Sequence, residues 1–300
     1  LFDAPFYRLV HAEGDGLPGL VIDRYGDALA IQPNAAWIDR LLAPLIEVAT
    51  EVTGCTRVVV NATSKVRAKE GLGTHLTVAR GSVEAPVPVA MNGATYLADL
   101  TGGQKTGLFY DQRPNHAFTA RVAPGARVLD VFTHVGGFAL AALAAGAAAA
   151  HAVDSSAPAL ALAEQGAAKT GCAARFTAER ADAFDALSRM GAEGRRFGMV
   201  VCDPPAFAPA KPAVTQGLRA YERLARLSAP LVEPGGWLVL CSCSHAVDAE
   251  SFRKACAAGI RKATRSGQLV RSGRAGADHP QHPALPETGY LKALFFRLTD

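Results

Sequence analysis

The hydrophobic positions of the chain follow two arrangements, which meet near residue 111. In the first, short apolar runs alternate with turns, and four of these runs predict strands: 19–24, 28–32, 57–61 and 74–79. Tyr25-Gly26-Asp27 joins the first two runs as a hairpin turn. From Trp37 to about Val52, apolar residues recur at helical spacing, with Asn34 placed to cap the helix. This part of the chain therefore predicts a small α+β domain.

A change of composition marks the end of that domain. Pro86 and Pro88 indicate a boundary, and a second hairpin is predicted over 89–100, turning at Asn92-Gly93. We expect a first domain over residues 1–86, a linking segment over 87–108 and a second domain over 109–300.

The second domain alternates apolar strands with helical patterns. Strands are predicted at 127–132, 150–154, 175–179, 199–203, 237–242 and 291–298. Helices are predicted at 138–145, 157–170, 185–190, 214–227 and 249–262. This alternation is typical of a Rossmann-like, doubly wound and mostly parallel α/β sheet. Ligands of such sheets bind beyond the carboxyl ends of the strands, which is where we look for chemistry.

Composition narrows the class of protein. Of the 300 residues, 49% are hydrophobic, which excludes a disordered chain, and the net charge of +4 permits an anionic partner. None of the six cysteines forms a C-x-x-C pair, so neither a disulfide framework nor a metal site is expected. The most apolar stretch, 138–151, is too short to span a bilayer. We therefore expect a cytoplasmic protein without a membrane segment or a metal.

A nucleoside-binding edge is predicted at the first three strands of the second domain. The first strand carries Asp130 and leads to Gly136-Gly137, and the next strand ends at Asp154, an acid suited to two ribose hydroxyls. Asp182-Ala183-Phe184 follows the third. The turn lacks the G-x-G-x-x-G pattern of dinucleotide sites, which favours S-adenosylmethionine over NAD. The alternative is structural: the glycines only pack a helix, and Asp154 only caps one.

Two further segments carry candidate catalytic groups. The fourth strand leads into Asp203-Pro204-Pro205, where two prolines fix the backbone after a carboxylate, and Phe207 could stack on a base. The fifth strand reaches Cys241 and Cys243; the latter lies nearer the expected cleft and could act as a thiolate nucleophile on carbon 6 of a pyrimidine. The alternative is a buried, inert cysteine, which we favour for Cys241.

These residues occur within a longer ordered set of motifs. The set comprises Leu17-Pro18-Gly19-Leu20-Val21-Ile22-Asp23-Arg24-Tyr25-Gly26-Asp27, Gly102-Gly103-Gln104-Lys105-Thr106-Gly107, Asp111-Gln112-Arg113, Val135-Gly136-Gly137-Phe138, Asp203-Pro204-Pro205-Ala206-Phe207, Ser242-Cys243-Ser244, Asp278-His279-Pro280, Leu285-Pro286-Glu287 and Tyr290-Leu291-Lys292. Over nearly its whole length the chain resembles the RlmI-like class I S-adenosylmethionine-dependent 23S ribosomal RNA (cytosine-5) methyltransferases.

The resemblance implies a seven-stranded methyltransferase domain after a small central domain, and a role for each motif. It implies that residues 102–107 lead into the cofactor cleft and that Cys243 is the nucleophile, with Asp203 and Pro205 also catalytic. The cofactor contacts expected are Lys105, Thr106, Asp130, Gly136, Gly137, Asp154, Ser155, Asp182, Ala183 and Asp203. The substrate contacts expected are Asp111, Arg113, Phe207, Tyr221 and Arg219. Basic candidates for RNA contact are Lys65, Arg67, Lys69, Arg219 and Arg223.

The resemblance also has departures. Relatives usually begin with an RNA-binding PUA domain, and the chain starts at Leu1, so we expect the natural reading frame to extend upstream. Relatives carry Cys-Tyr-Thr where this chain has Thr133-His134-Val135, and another branch carries a product-releasing cysteine in the region of Ala206.

The predicted function is methyl transfer to carbon 5 of a cytosine in large-subunit ribosomal RNA, and a homodimer is compatible with the sequence. Two alternatives remain open: a guanine-nitrogen RNA methyltransferase that needs no cysteine, and a non-catalytic RNA-binding module.

Overall fold

Two compact units make up the part of the chain that the computed structural model describes, which is residues 1–83, 86–102 and 107–300. The first unit comprises residues 1–91, 97–111 and 276–288, and the second comprises 92–96, 112–275 and 289–300. The predicted division assigned 276–288 to the second domain, whereas this segment belongs with the first unit.

The first unit contains a five-stranded sheet whose strands follow chain order. They are β1 (Phe6–His11), β2 (Leu20–Tyr25), β3 (Ala28–Pro33), β4 (Arg57–Ala62) and β5 (His75–Arg80). Only β3 and β4 run parallel, because a helical crossover joins them, and the other neighbours are antiparallel. Ile22, Ile31 and Val58 are fully or almost fully buried beneath the crossover.

The helical crossover differs from its prediction in two details. It consists of α1 (Ala36–Arg40) and α2 (Leu42–Thr53), because the backbone leaves the helical conformation at Leu41 (φ −108°, ψ 10°). The expected cap at Asn34 is wrong, since Ala35 precedes the first helical residue and no side chain caps it. Ile38 nevertheless packs in the core of the unit, as the helical spacing predicts.

A short hairpin follows, made of β6 (Val87–Met91) and β7 (Ala94–Ala98). Its turn lies at Asn92 and Gly93, both in the left-handed region (φ 52° and 76°). Asn-Gly is the pair that tolerates these angles best, so this predicted turn is confirmed.

Arg67 does not lie on a basic surface, which corrects its expected RNA contact. Its side chain is 1% exposed, and its guanidinium donates to both carboxylate oxygens of Asp39, at 2.9 and 2.8 Å, and to the carbonyls of Pro33 and Gly73. It therefore stabilises the first unit, whereas Lys69 on the same 3-10 helix is exposed.

Replacing Arg67 with methionine is expected to lower the free energy of unfolding by about 2 kcal/mol. That is less than the roughly 3–5 kcal/mol of a fully buried pair, because Asp39 keeps contact with water. Urea unfolding measures the change, and Lys69→Met is the matched control. An Arg67→Met protein as stable as the control would contradict the structural role.

The second unit is built on a seven-stranded sheet with the order β10-β9-β8-β11-β12-β14-β13. Its strands are β8 (Arg127–Val131), β9 (Ala149–Asp154), β10 (Phe176–Arg180), β11 (Phe197–Cys202), β12 (Val232–Ser242), β13 (Gly267–Gly273) and β14 (Lys292–Leu298). All neighbours are parallel except at β14, which lies between β12 and β13 and is antiparallel to both.

Six α-helices accompany these strands in the described residues. They are α3 (Arg113–Val122), α4 (Gly137–Ala144), α5 (Ala157–Lys169), α6 (Ala183–Ala192), α7 (Val214–Ser228) and α8 (Ala249–Lys262). The last five lie where they were predicted, and the first, which precedes β8, was not predicted. Leu129, Val200 and Leu240, on three neighbouring strands, form a buried core with α6, α7 and α8. Among the residues described, none of the helices has the length and apolar character needed to cross a membrane. If the strands of this sheet are numbered along the chain, β8 to β12 are strands 1 to 5 and lie in the order 3-2-1-4-5. This order brings the carboxyl ends of β8, β9, β11 and β12 to one edge.

Candidate active site

A strained turn follows β8 at this edge. Two residues that are not glycine, Phe132 and His134, have positive φ angles (63° and 51°), and Gly136 has a φ of 86°. A Cβ on Gly136 would lie 2.9 Å from Cγ of Leu140, so both the backbone angle and the close packing require glycine here. Strain of this kind persists where surrounding contacts impose it, and it is concentrated at ligand sites.

Asp130 stabilises this turn through hydrogen bonds. Its Oδ2 accepts hydrogen bonds from Oγ1 of Thr133 (2.6 Å) and from the backbone N–H of Ala139 (2.9 Å). Its Oδ1 is buried without a hydrogen-bond partner among the described residues. Burial raises the pKa of this carboxyl to about 6, and the two hydrogen bonds act against that rise. The unpaired acceptor oxygen is suited to a cationic or N–H donor from a ligand.

Asp154 stands at the carboxyl end of β9, the next strand. One carboxylate oxygen accepts the N–H of His134 at 2.8 Å, and the other accepts the N–H of Ser156 at 2.9 Å. These bonds fix the carboxylate beside the turn, and each oxygen retains capacity for a further donor such as a ribose hydroxyl. The neighbouring Ser155 is exposed, and its carbonyl accepts a hydrogen bond from Arg180.

The third strand contributes Asp182 and Phe184. Oδ1 of Asp182 accepts the N–H groups of Phe184 and Asp185, so this exposed acid caps α6. Ala183 points into the core and is 6% exposed, which leaves only its backbone for a ligand. The Phe184 ring packs 6.0 Å from that of Phe207 and lies under the Arg223 guanidinium at 4.6 Å.

Gly137 has a clear packing role. A Cβ there would lie 2.8 Å from Nε2 of His116, and its carbonyl accepts the hydroxyl of Tyr96 at 3.1 Å. The lack of a side chain is therefore accounted for by His116, and the expected cofactor contact at Gly137 stays a prediction.

The rigid segment after β11 lies next to the turn. The N–H of Asp203 donates to the carbonyl of Val131 at 3.2 Å, which ties the beginning of Asp-Pro-Pro to β8. Pro204 is buried and Pro205 is exposed. The Pro204 carbonyl lies 3.9 Å from Sγ of Cys243, so the proline segment and the cysteine segment meet at this edge.

Cys243 lies between two fully buried serines. The hydroxyl of Ser242 donates to that of Tyr221 at 2.8 Å, and Oγ of Ser244 is 2.8 Å from the same hydroxyl. Ser244 also accepts the N–H of Ala208 at 3.1 Å. Cys243 itself is half-buried, whereas the other five cysteines are buried. Burial raises the pKa of Cys241 well above its ordinary value, which agrees with an inert role for that thiol.

Tyr221 occupies a different position from the one expected. Its side chain is 1% exposed, and its hydroxyl lies beneath the cysteine segment, bonded to both serines. A direct substrate contact does not fit this burial, so Tyr221 supports the segment from inside. Phe207 is half-buried 4.9 Å from the Tyr221 ring, and Arg219 is exposed on α7.

The remaining predicted residues fall into three places. Asp111 is buried in the first unit, where its carbonyl accepts the N–H of Gly276. Arg113 begins α3 in the second unit and is half-buried. Lys105 and Thr106 lie outside the described residues. Their expected roles as substrate and cofactor contacts stay predictions.

Lys292 is a polar group that sequence reasoning left without a role. Its side chain is 9% exposed, and its Nζ donates to the carbonyls of Ser244 and Val247, both at 2.7 Å. A single lysine at the start of the apolar strand Lys292–Leu298 is a signal that could have identified it.

The 3-2-1-4-5-7-6 strand order, with the seventh strand antiparallel, defines the class I S-adenosylmethionine-dependent methyltransferase fold. Each of the first two strands also carries an acid at or next to its carboxyl end, Asp130 in β8 and Asp154 in β9. The unpaired Oδ1 of Asp130, the glycine turn and the Asp154 carboxylate fit a ligand with an ammonium group and ribose hydroxyls.

Comparison with known proteins supports this class. The family described as S-adenosylmethionine-dependent methyltransferase matches residues 80–297, and the chain belongs to this family. It is 36% identical over 295 residues to Ribosomal RNA large subunit methyltransferase I of Shewanella denitrificans, covering 97% of this chain and 74% of that relative. The protein of the same name in Erwinia tasmaniensis is 35% identical over 294 residues, with the same coverage.

Solved structures share the fold. A protein assigned as an S-adenosylmethionine-dependent methyltransferase in Streptococcus mutans superposes with a TM-score of 0.85 at 20% identity, over 98% of this chain and 75% of that chain. A second assigned methyltransferase, solved in complex with SAH, has the same TM-score at 21% identity and the same coverage. The chain is thus an enzyme that uses S-adenosylmethionine, as predicted from the motifs.

Proposed function

We propose that this enzyme methylates carbon 5 of a cytosine in large-subunit ribosomal RNA, with Cys243 as a covalent nucleophile. The observation that carries the proposal is the half-buried thiol of Cys243, held between two buried serines and 3.9 Å from the Pro204 carbonyl. The names of the relatives, Ribosomal RNA large subunit methyltransferase I, support the substrate class.

In the proposed reaction, the Cys243 thiolate forms a bond to carbon 6 of the cytosine. Asp203 favours the protonated form of ring nitrogen 3, and the Pro205 carbonyl accepts from the exocyclic amine. S-adenosylmethionine supplies the methyl group from its sulfonium centre. Carbon 5, made electron-rich by the adduct, accepts this methyl group and then loses its proton to a base, after which the Cys243–carbon 6 bond breaks and the thiolate is regenerated. Ala206 offers no second thiol as that base.

We assign the groups of the cofactor to residues of the same site. Asp154 would hold the ribose hydroxyls, the segment of Asp182 and Phe184 would receive the adenine, and the turn with Gly136 would lie against the amino acid part. Asp130 would accept a donor through its unpaired oxygen. Close positioning of base and methyl donor can supply roughly 7–11 kcal/mol of the barrier.

Exposed basic residues support an RNA substrate. Lys65 and Lys69 are exposed on the first unit, and Arg219, Arg223 and Arg226 are exposed along α7. Phosphate contacts made by such residues release counterions, so RNA affinity should fall as salt rises.

Product analysis tests the proposal. The enzyme is incubated with large-subunit ribosomal RNA, as naked RNA and as subunits, and with isotopically labelled S-adenosylmethionine. The RNA is then digested to nucleosides for mass spectrometry. Labelled 5-methylcytidine is expected. Labelled methylguanosine would instead assign the enzyme to the guanine-nitrogen class, which shares the Asp-Pro-Pro acceptor and needs no cysteine. Cofactor binding by calorimetry without any labelled product would refute the proposed RNA substrate.

A further inference from the structure

The segment after Cys243 is held by a buried charge. Residues 244–247 turn away from the end of β12 towards α8, and both ends of this turn present a carbonyl to Nζ of Lys292, at 2.7 Å each. Lys292 starts β14, directly opposite Ser242 in the antiparallel pair of β12 and β14. Lys292 is thus paired with the residue that precedes Cys243. Its ammonium group fixes the backbone of the residues that follow Cys243.

We propose that Lys292 is a positioning residue for Cys243: its buried ammonium fixes residues 244–247 through two carbonyls and places a positive charge beside the thiolate. This inference rests on the proposed function, in which Cys243 is the nucleophile.

Charge coupling supports the inference. Burial lowers the pKa of Lys292 to about 8, while the negative charges of the Cys243 thiolate and Asp248 act against that fall. Electrostatic coupling is reciprocal, so a thiolate that stabilises the ammonium is itself stabilised by it. A neutral donor would bind the two carbonyls at a lower desolvation cost than an ammonium group does. The presence of a charged group at this position therefore indicates that the charge itself has a role.

Other titratable groups surround the thiol. Tyr221 lies below it with its hydroxyl on both serines, and Asp203 follows the neighbouring β11. Asp248 caps α8, and the exposed His245 stacks on Tyr290 with ring centroids 4.8 Å apart. Among these groups Lys292 is the buried cation, and its replacement should move the titration of Cys243 in one direction, towards higher pH.

The pH profile of Cys243 alkylation tests the proposal on the full chain. The rate of modification by iodoacetamide is followed by peptide mass spectrometry, which separates Cys243 from the five buried cysteines. In the wild type, the midpoint is expected below about 8.5, the ordinary value for a thiol. Lys292→Met should raise it by about one unit or more, so that the rate at pH 7 falls about tenfold.

Lys292→Gln separates the charge from the hydrogen bonds, since its amide still donates to carbonyls. It is expected to raise the midpoint as Lys292→Met does, and the exposed Lys254→Met should not. If Lys292→Met fails to fold, as judged by thermal unfolding, the alkylation midpoints of Lys292→Gln and of the wild type still test the proposal. A wild-type midpoint at or above about 8.5, or an unchanged profile in folded Lys292→Gln, would overturn the proposal.

Alkylation does not depend on turnover, so the two proposals fail separately. An unchanged profile in Lys292→Gln, together with an inactive Cys243→Ala, would refute the role of Lys292 alone. A shifted profile together with a fully active Cys243→Ala would refute the nucleophile and would still support the coupling between Lys292 and Cys243.

Discussion

Replacing Cys243 with alanine is expected to lower methyl transfer to cytosine by at least about 10⁴-fold, because without the adduct carbon 5 has no means of becoming nucleophilic. Binding of S-adenosylmethionine should stay near the wild-type affinity, since the cofactor groups belong to β8, β9 and the segment after β10. Labelled 5-methylcytidine formation and isothermal calorimetry measure the two quantities.

A trapping experiment makes this prediction specific. In RNA carrying 5-fluorocytidine, the fluorine cannot leave as a proton, so the adduct persists and wild-type enzyme should remain attached to RNA in a denaturing gel. Cys243→Ala should give no attached species. The matched control is Cys241→Ala, which removes a buried thiol two residues earlier and should lower stability by about 1 kcal/mol while retaining methylation. Methylation by Cys243→Ala at the wild-type rate would refute covalent catalysis.

Replacing Asp154 with alanine is expected to weaken S-adenosylmethionine binding by at least about 100-fold. Two charge-assisted hydrogen bonds to ribose hydroxyls contribute roughly 1.5–3 kcal/mol each, and the variant also frees the N–H groups of His134 and Ser156 that order the strained turn. The dissociation constant from calorimetry measures the effect.

Glu193→Gln serves as the control for Asp154→Ala, because it changes an exposed acid that pairs with Arg189 at the end of α6. It should bind the cofactor as the wild type does. Asp154→Asn should lie between the control and the alanine variant, since the amide keeps one acceptor. Cofactor affinity in Asp154→Ala within about threefold of the wild type, corresponding to less than one charged hydrogen bond, would exclude Asp154 as the ribose ligand.

The second unit was predictable because each of its buried strands reads as an apolar run bounded by turn residues. Helix α8 spans the predicted residues, Ala249–Lys262, and β8, β9, β11 and β12 were also predicted. β13 was missed because its sequence, GQLVRSG, has no apolar face. This agrees with its place at the edge of the sheet, where most of its residues are exposed. β1 was missed for a related reason, since all six of its residues are half-buried and show no alternation.

The candidate site was predictable where chemistry follows directly from a strand end. Asp154, Asp203 and Cys243 all lie at the predicted edge of the sheet, which topology alone determines. Side-chain burial was not predictable in the same way. Arg67 and Tyr221 appear in sequence as surface candidates, and only packing reveals that the first bonds Asp39 and the second bonds two serines.

The role of Lys292 could not be predicted from the sequence for the same reason. Its two acceptors lie 48 and 45 residues earlier in the chain, and no periodic pattern connects them. Contacts between distant segments that involve backbone carbonyls leave no trace in the identity of the accepting residues.

The position of β14 also bears on how the enzyme is made. Among the described residues, β13 pairs only with β14, which follows it along the chain. During synthesis from the amino end, β13 therefore leaves the ribosome before the strand with which it pairs, and the seven-stranded sheet closes only when β14 has emerged. Lys292 begins that strand, so residues 244–247 acquire their buried cation only after β12, α8 and β13 have been synthesised. In nascent chains that stop before β14, the Cys243 thiol should consequently lack the reactivity that Lys292 confers on it.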